Sequence, residues 1–140
     1  MHVLLINGSP HEKGCTYTAL SLVAGELNAA GITTEILNVG TKPVGGCIGC
    51  GGCAKGNGCV FGGVVNEAIE KARTADAFVF GTPVHYASAS GNMTSFLDRL
   101  AYAGGKYLAY KPAAICASAR RAGTTSALDQ LVKYPEFFHM

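Results

Sequence analysis

Four short apolar runs are spaced along this chain, and a segment of helical periodicity follows each of them. The first run, Met1 to Ile6, stops at Asn7-Gly8-Ser9-Pro10, which is typical of a buried strand that ends in a loop. The others cover Ile32 to Val39, Ala77 to Phe80 and Ala113 to Ala117. This alternation predicts a parallel, doubly wound sheet with the first strand in a central position.

The helical segments carry apolar residues three and four positions apart. They span Leu20 to Leu27, Val65 to Ala72, Met93 to Leu100, and Ala127 to Leu131. The last residues, Tyr134 to Met140, are apolar and aromatic without helical or alternating periodicity. We predict one domain over residues 1–140, an α/β fold in three layers that lacks the usual fifth strand and helix. That pair is either absent from this stretch of chain or replaced by a partner subunit.

Composition narrows the classes of function. Apolar residues make up 49% of the chain and charged residues 14%, which fits a sheet covered on both faces. A net charge of +2 with scattered lysines and arginines argues against nucleic acid binding. The sequence has no window of about 18 apolar residues and no secretory pattern, so we predict a cytoplasmic protein without a membrane partner. In that compartment, six cysteines favour a metal, a cluster or redox chemistry over structural disulfides.

The loops after strands one, three and four are unusual, and we expect them to build one site. In a parallel α/β sheet the ligand binds beyond the carboxyl ends of the strands, where the strand order reverses. The first loop, Gly8 to Thr16, is rich in hydroxyls and backbone donors and leads into a helix N-terminus, which suits a phosphate. Its spacing is not that of a Walker loop, because five residues separate Gly8 from Gly14 and no Lys-Ser or Lys-Thr follows. The alternative is that Ser9 and Thr16 only cap the helix.

Three segments together resemble the NADPH-dependent FMN reductase superfamily: Gly8-Ser9-Pro10 to Thr16, Gly81-Thr82-Pro83-Val84-His85-Tyr86, and Phe96-Leu97-Asp98-Arg99. The resemblance covers nearly the whole chain and implies a flavodoxin-like fold that binds FMN. In this interpretation the first loop wraps the phosphate, the second lines the isoalloxazine ring, and a third loop after the fourth strand closes the other side.

The resemblance implies cofactor contacts from all three loops. The residues are Ser9, His11, Cys15 and Thr16; Thr82, Pro83, Val84, His85 and Tyr86; and Ser118, Arg120, Gly123 and Thr124. A flavin site also needs a phosphate cradle, backbone donors and flat side chains on chemical grounds, and these loops contain them. Arg120 and Arg121 are candidates for stabilising a reduced flavin or the NADPH phosphate, with a solvated pair as the alternative. Asp98 and Arg99 are predicted to be structural.

Four cysteines lie in a glycine-rich stretch from Gly40 to Gly63, which is too long to lack a function in a compact domain. Cys47, Cys50, Cys53 and Cys59 are spaced C-x2-C-x2-C-x5-C. Closely spaced thiolates in a glycine-rich loop suit a cubane cluster. The spacing resembles that of the iron-sulfur flavoproteins, a branch of the same superfamily, which implies a 4Fe-4S cluster near the flavin. Zinc, free thiols and a redox disulfide stay open as alternatives.

The resemblance implies a NAD(P)H-dependent FMN reductase. FMN would take a hydride from NAD(P)H and pass electrons to a small, quinone-like acceptor or to the cluster. No dedicated acid or base is needed, so we nominate no catalytic residue. One alternative is an electron carrier between a ferredoxin and a small acceptor, and another is a cysteine-loop metal-binding or interaction module without flavin. By analogy with relatives that pair, we expect a homodimer or homotetramer, with Phe137 and Phe138 in the contact.

Overall fold

The computed structural model describes residues 1–140 and contains a parallel sheet of four main strands. These are β1 (His2–Asn7), β2 (Thr33–Asn38), β3 (Ala77–His85) and β5 (Ala113–Ser118), and a two-residue strand, β4 (Ser88–Ala89), pairs antiparallel with the end of β3. The parallel strands lie in the order β2-β1-β3-β5. The chain moves from β1 to one neighbour and returns to the other, so the strand order reverses between β1 and β3.

Four helices cover the sheet: α1 (Cys15–Ala29), α2 (Val64–Thr74), α3 (Gly91–Gly104) and α4 (Thr124–Phe137). Successive side chains of a strand point to opposite faces. In β1, Leu4 and Ile6 therefore join the core formed with α2, α3 and α4, whereas Val3 and Leu5 join the smaller core under α1. This three-layer arrangement confirms the predicted doubly wound α/β fold. None of the four helices combines the length and the apolar character that a membrane crossing requires.

Two element boundaries differ from the sequence predictions. The strand predicted to end at Phe80 continues to His85, because Thr82 and Pro83 still pair with β5. The prediction of no helical pattern from Tyr134 onward was wrong, since α4 runs to Phe137 with Pro135 inside it. Pro135 is buried in the last turn, where its missing N–H removes a single hydrogen bond close to the helix end.

Residues 40–63 form a loop, as predicted, and its one regular element is a short 3-10 helix at Gly52–Lys55. The start of this loop lies directly against the loop that follows β1. A Cβ atom at Gly40 would collide with the carbonyl oxygens of Gly8 and Ser9. Glycine at position 40 thus allows the cysteine loop to begin beside the predicted phosphate loop.

Candidate functional site

Asn7, the last residue of β1, shapes the loop that follows it. Its side chain is wholly buried. Nδ2 donates to Oδ1 of Asn38 (2.8 Å) and to the carbonyl of Glu12 (3.3 Å), while Oδ1 accepts from the N–H of Ser9 (3.2 Å). The hydroxyl of Ser9 in turn accepts from the N–H of His11 (3.1 Å). The sequence analysis did not identify Asn7, although a polar residue at the end of a buried apolar run is a usable signal.

This curled loop leads into a helix N-terminus that no side chain caps. The N-cap is Gly14, and the first turn of α1 contains no acidic residue. The first helical hydrogen bond is donated by the N–H of Thr18 to the carbonyl of Gly14 (3.0 Å), so the N–H groups of Cys15, Thr16 and Tyr17 have no helical acceptor. The alternative in which Ser9 and Thr16 cap this helix is therefore wrong. An uncapped N-terminus of this kind attracts an anion.

Hydrogen bonds join the three predicted loops at the carboxyl edge of the sheet. The hydroxyls of Thr16 and Ser118 lie 2.7 Å apart and link the first loop to the end of β5. Ser90 Oγ donates to the carbonyl of Gly8 (2.8 Å), and the N–H of Ser90 donates to Oγ1 of Thr82 (3.0 Å). The loops after β1, β3 and β5 thus form one connected rim, as expected from the topology.

The segment after β3 is a tight hairpin with a strained turn. The pairing of His85 with Ser88 leaves Tyr86 and Ala87 as the two turn residues. Their φ angles are 50° and 60°, in the left-handed region where non-glycine residues cost about 1–2 kcal/mol each. The side chain of Tyr86 is fully exposed. The strain marks this hairpin as a candidate site element, since such conformations persist where the surroundings hold them.

Two contacts hold the hairpin in place. Oε1 of Gln130, on α4, accepts from the hydroxyl of Ser88 (2.7 Å) and from the N–H of Ala89 (3.0 Å). Gly123, in the loop after β5, lies so close to the turn that a Cβ there would be 2.6 Å from Cα of Ala87. Its φ of 96° also favours glycine. The hairpin and the third loop therefore lie against each other.

All thirteen predicted cofactor residues lie on this rim, at different depths. Ser9, Thr16 and Thr82 are buried; Pro83, Val84, Ser118, Gly123 and Thr124 are half-buried; His11, Cys15, His85, Tyr86 and Arg120 are exposed. The hydroxyl of Thr82 is engaged by the protein, since it also donates to the carbonyl of Pro83 (2.9 Å), and the residue has no exposed surface. Arg120 and Arg121 are exposed and form no ion pair.

The four loop cysteines line a single cavity of about 220 Å³. Cys47 and Cys50 are exposed, Cys53 and Cys59 are half-buried, and all four thiols are free. Apolar side chains such as Phe61 complete the lining. No three acidic, histidine or cysteine side chains are close enough to hold one metal ion. The cavity gathers four potential sulfur ligands around a common space. A cubane cluster takes one thiolate per iron, so thiols spread around a cavity, rather than converging on one point, have the chemistry that its ligands require.

Two residues of α3 hold the ends of the cysteine loop, and the sequence analysis assigned a structural role to only one of them. Asn92 Nδ2 donates to the carbonyl of Gly40 (2.9 Å), and its Oδ1 accepts from the N–H of Val44 (3.1 Å). Arg99 is buried, and its Nε donates to Sγ of Cys59 (3.2 Å). Cys116, the cysteine of β5, lies apart from this loop, and burial raises the pKa of its thiol.

Comparison with known proteins extends these observations. The NADPH-dependent FMN reductase family matches residues 1–140. An iron-sulfur flavoprotein of Archaeoglobus fulgidus is 33% identical over 99 residues, which cover 71% of this chain and 48% of that protein. One from Methanocaldococcus jannaschii is 30% identical over 99 residues, covering 71% of this chain and 51% of that protein. The chain spans about half the length of these curated relatives.

Solved structures show the same fold. An NADH:FMN oxidoreductase in its apo form has a TM-score of 0.69 at 21% identity, covering 94% of this chain and 65% of that chain. An NAD(P)H:quinone oxidoreductase from Methanothermobacter marburgensis has a TM-score of 0.67 at 20% identity, covering 98% of this chain and 72% of that chain. At these identities the structures establish the flavodoxin-like fold alone. The sequence match along the whole length goes further and shows that this chain belongs to the NADPH-dependent FMN reductase family.

Proposed function

We propose that this chain is a flavin-dependent oxidoreductase that binds FMN at the carboxyl edge of its sheet. The observation that carries the proposal is the uncapped N-terminus of α1 beside the loop that Asn7 curls. Three N–H groups there, from Cys15, Thr16 and Tyr17, lack a helical acceptor. A phosphate supplies acceptors for these donors and matches the positive end of the helix dipole.

In this proposal the ring of FMN lies between the hairpin after β3 and the loop after β5. The exposed side chains of His85 and Tyr86 are available to contact a flat ring, and the backbone of residues 118–124 offers donors to its polar edge. Arg120 or Arg121 would balance negative charge on the ring or on the NADPH phosphate, since neither is paired within the chain. These residues bind and orient, while bound FMN supplies the electron transfer from NAD(P)H to a small, quinone-like acceptor.

We further propose that Cys47, Cys50, Cys53 and Cys59 hold a 4Fe-4S cluster. A cluster in their common cavity would also allow a second candidate function, an electron carrier that receives electrons from a ferredoxin and passes them to a small acceptor. The two functions share both cofactors and differ in the electron donor. Anaerobic reduction by NAD(P)H supports the first function, whereas reduction by a reduced ferredoxin, with NAD(P)H inactive, supports the second.

The visible absorption spectrum of anaerobically purified protein, with iron and acid-labile sulfide counted on the same sample, tests both cofactors. Flavin bands with about four iron per chain support the full proposal. Flavin bands without iron leave an FMN reductase whose cysteines act otherwise, and a colourless protein that takes up no added FMN refutes the proposal. The variants Cys50→Ser and Cys116→Ser form a matched pair for the iron count, because Cys50 lines the cavity and Cys116 does not. Iron should be lost in the first variant and kept in the second.

We also propose that the chain forms a homodimer or homotetramer. Phe137 is exposed and lines an apolar groove of about 440 Å³ between α3 and α4, together with Tyr102. Contact between copies would remove these aromatic side chains from water. Sedimentation velocity at micromolar concentration tests this, and a monomeric profile would refute it.

A further inference from the structure

Cys59 is held more firmly than the other three cysteines of the loop. Its N–H donates to Oδ1 of Asn66 (2.8 Å), and its carbonyl accepts from Nδ2 of the same side chain (3.0 Å). The side-chain amide of Asn66, on α2, therefore bonds to both backbone polar groups of Cys59. Cys59 is also the one loop cysteine whose thiol accepts a hydrogen bond, from Nε of Arg99 (3.2 Å). Cys47 and Cys50 are exposed and have no such bond.

Arg99 reaches the loop on both sides of the cysteines. Nη1 donates to the carbonyl of Gly45 (3.4 Å), ahead of the first cysteine, and Nη2 donates to the carbonyl of Gly62 (3.1 Å), after the last. The guanidinium carbon lies 5.4 Å from the ring centre of Phe61. One side chain on a rigid helix thus joins the two ends of the loop and one of its thiols.

The charge of Arg99 has no counterion. The residue is 6% exposed, and its hydrogen-bond partners are a thiol and two carbonyls, with no carboxylate among them. A buried cation without an anionic partner is costly, because neutral dipoles compensate only part of its lost hydration. Arg99 also lines the cavity of the four cysteines. An anionic group in that cavity would supply the missing partner.

We propose that Arg99 is a positioning residue of the cysteine cavity. It holds Cys59 as the fixed ligand, and the loop carries Cys47, Cys50 and Cys53 to complete the site. Its N–H···S bond and its charge stabilise the more negative, reduced cluster. Hydrogen bonds to the sulfurs and burial tune cluster potentials, so removal of Arg99 lowers the reduction potential. This inference rests on the proposed 4Fe-4S function.

The test compares Arg99→Gln and Arg99→Lys with Arg73→Gln. Arg73 is the matched control, because it lies 4.6 Å from the ring centre of Tyr107 and pairs with Glu70 (2.9 Å), away from the cavity. Each protein is reconstituted anaerobically with ferrous iron and sulfide, and its iron content, FMN content and cluster potential are measured. In R99Q we expect unchanged FMN and about a tenfold smaller reduction constant, or about 59 mV for one electron. R99K keeps the charge without the planar fork and should lie between R99Q and the wild type.

A wild-type iron content and potential in R99Q would overturn the inference. If R99Q does not fold, as judged by circular dichroism, R99K carries the same comparison, because a lysine ammonium cannot bond to Cys59, Gly45 and Gly62 through one planar fork. A wild-type potential in R99K would then overturn the inference equally. The control R73Q should match the wild type in all three measurements.

A measurement on the metal-free protein separates this inference from the proposed function. Hydrogen exchange of the peptide covering residues 58–63 should be about tenfold faster in R99Q, as expected for the loss of a hydrogen bond from a charged donor. The peptide covering α1 serves as the internal reference, because α1 forms no hydrogen bond with Arg99 or Cys59. If the wild type takes up no iron, the proposed cluster fails, and the exchange data still decide whether Arg99 anchors Cys59. Equal exchange in R99Q and the wild type would overturn that role.

Discussion

Replacing Gly14 by Asp should stabilise the flavin-free protein and weaken its binding of FMN. Gly14 is the N-cap of α1, and its φ of −89° and ψ of −167° are open to any residue. An added Cβ would lie 3.1 Å from Cβ of His11, so that turn has to open by a few tenths of an ångström. The new carboxylate would accept from the N–H groups of Thr16 and Tyr17, which the proposal assigns to the phosphate.

The two effects differ in size. A cap that replaces glycine adds a few tenths of a kcal/mol, and at most about 1 kcal/mol. Two like unit charges about 4 Å apart repel by about 4 kcal/mol at an effective dielectric constant of about 20. Since every 1.4 kcal/mol is about tenfold in affinity, the Kd for FMN should rise by about a thousandfold. Salt screens exposed charges, so the loss should be smaller at high ionic strength.

A series of three variants separates the causes. Gly14→Ala adds only the Cβ, Gly14→Asn adds a neutral cap, and Gly14→Asp adds a charged one. Urea unfolding of the flavin-free proteins gives stability, and fluorescence titration gives the Kd for FMN and for riboflavin, which lacks the phosphate. We expect G14D to lose FMN binding far more than riboflavin binding. Equal FMN affinity in G14D and G14N, or equal losses for the two ligands, would refute the phosphate assignment.

Three further substitutions test separate parts of the argument. Asn7→Leu leaves the side chain of Asn38 and the first loop without their buried hydrogen-bond partner. The free energy of unfolding in urea should therefore fall by about 1–3 kcal/mol, and the affinity for FMN should fall with it. Unchanged FMN affinity would contradict the role of Asn7. Ala87→Gly removes the cost of a left-handed φ of 60° and should raise stability by about 1 kcal/mol, whereas a loss would show that the turn is unstrained. Burial, and then the hydrogen bond to Asp98, raise the pKa of Tyr134, so the folded state holds this proton more tightly than the unfolded chain. That contribution is present below about pH 10 and is lost as the pH rises further, so the stability advantage of the wild type over Tyr134→Phe should narrow in alkali, and a constant difference would contradict the assignment.

Sequence patterns located the framework of the site because the framework depends on local signals. Apolar runs that stop at Asn7 and helical spacing after Thr16 determine where a strand ends and a helix begins. The strand order then brings the three loops to one edge. The hairpin was not predicted, because Tyr86 and Ala87 carry none of the glycine or asparagine typical of a two-residue turn with positive φ.

The side chains that shape the site depend on partners far away in the sequence. Ser90 bonds to Gly8 across 82 positions, and Arg99 reaches Cys59 across 40. The hydrophobic periodicity of a sequence cannot reveal such hydrogen bonds, since they form only when separate elements pack together. At the C-terminal end the local pattern misled: residues 134–140 show no helical periodicity, yet α4 continues to Phe137 with Pro135 buried in its final turn.

Helix α3 links the two proposed cofactor sites. Its cap, Ser90, bonds to the carbonyl of Gly8 at the phosphate loop, while Asn92 and Arg99 hold the start and the end of the cysteine loop. Asn92 and Arg99 are two helical turns apart and therefore share one face of the helix. Ser90 and Arg99 are separated by about 14 Å along the axis, at a rise of about 1.5 Å per residue. Because a packed helix moves as a rigid unit, α3 sets the spacing between Cys59 and the loop after β1 that we propose for the FMN phosphate.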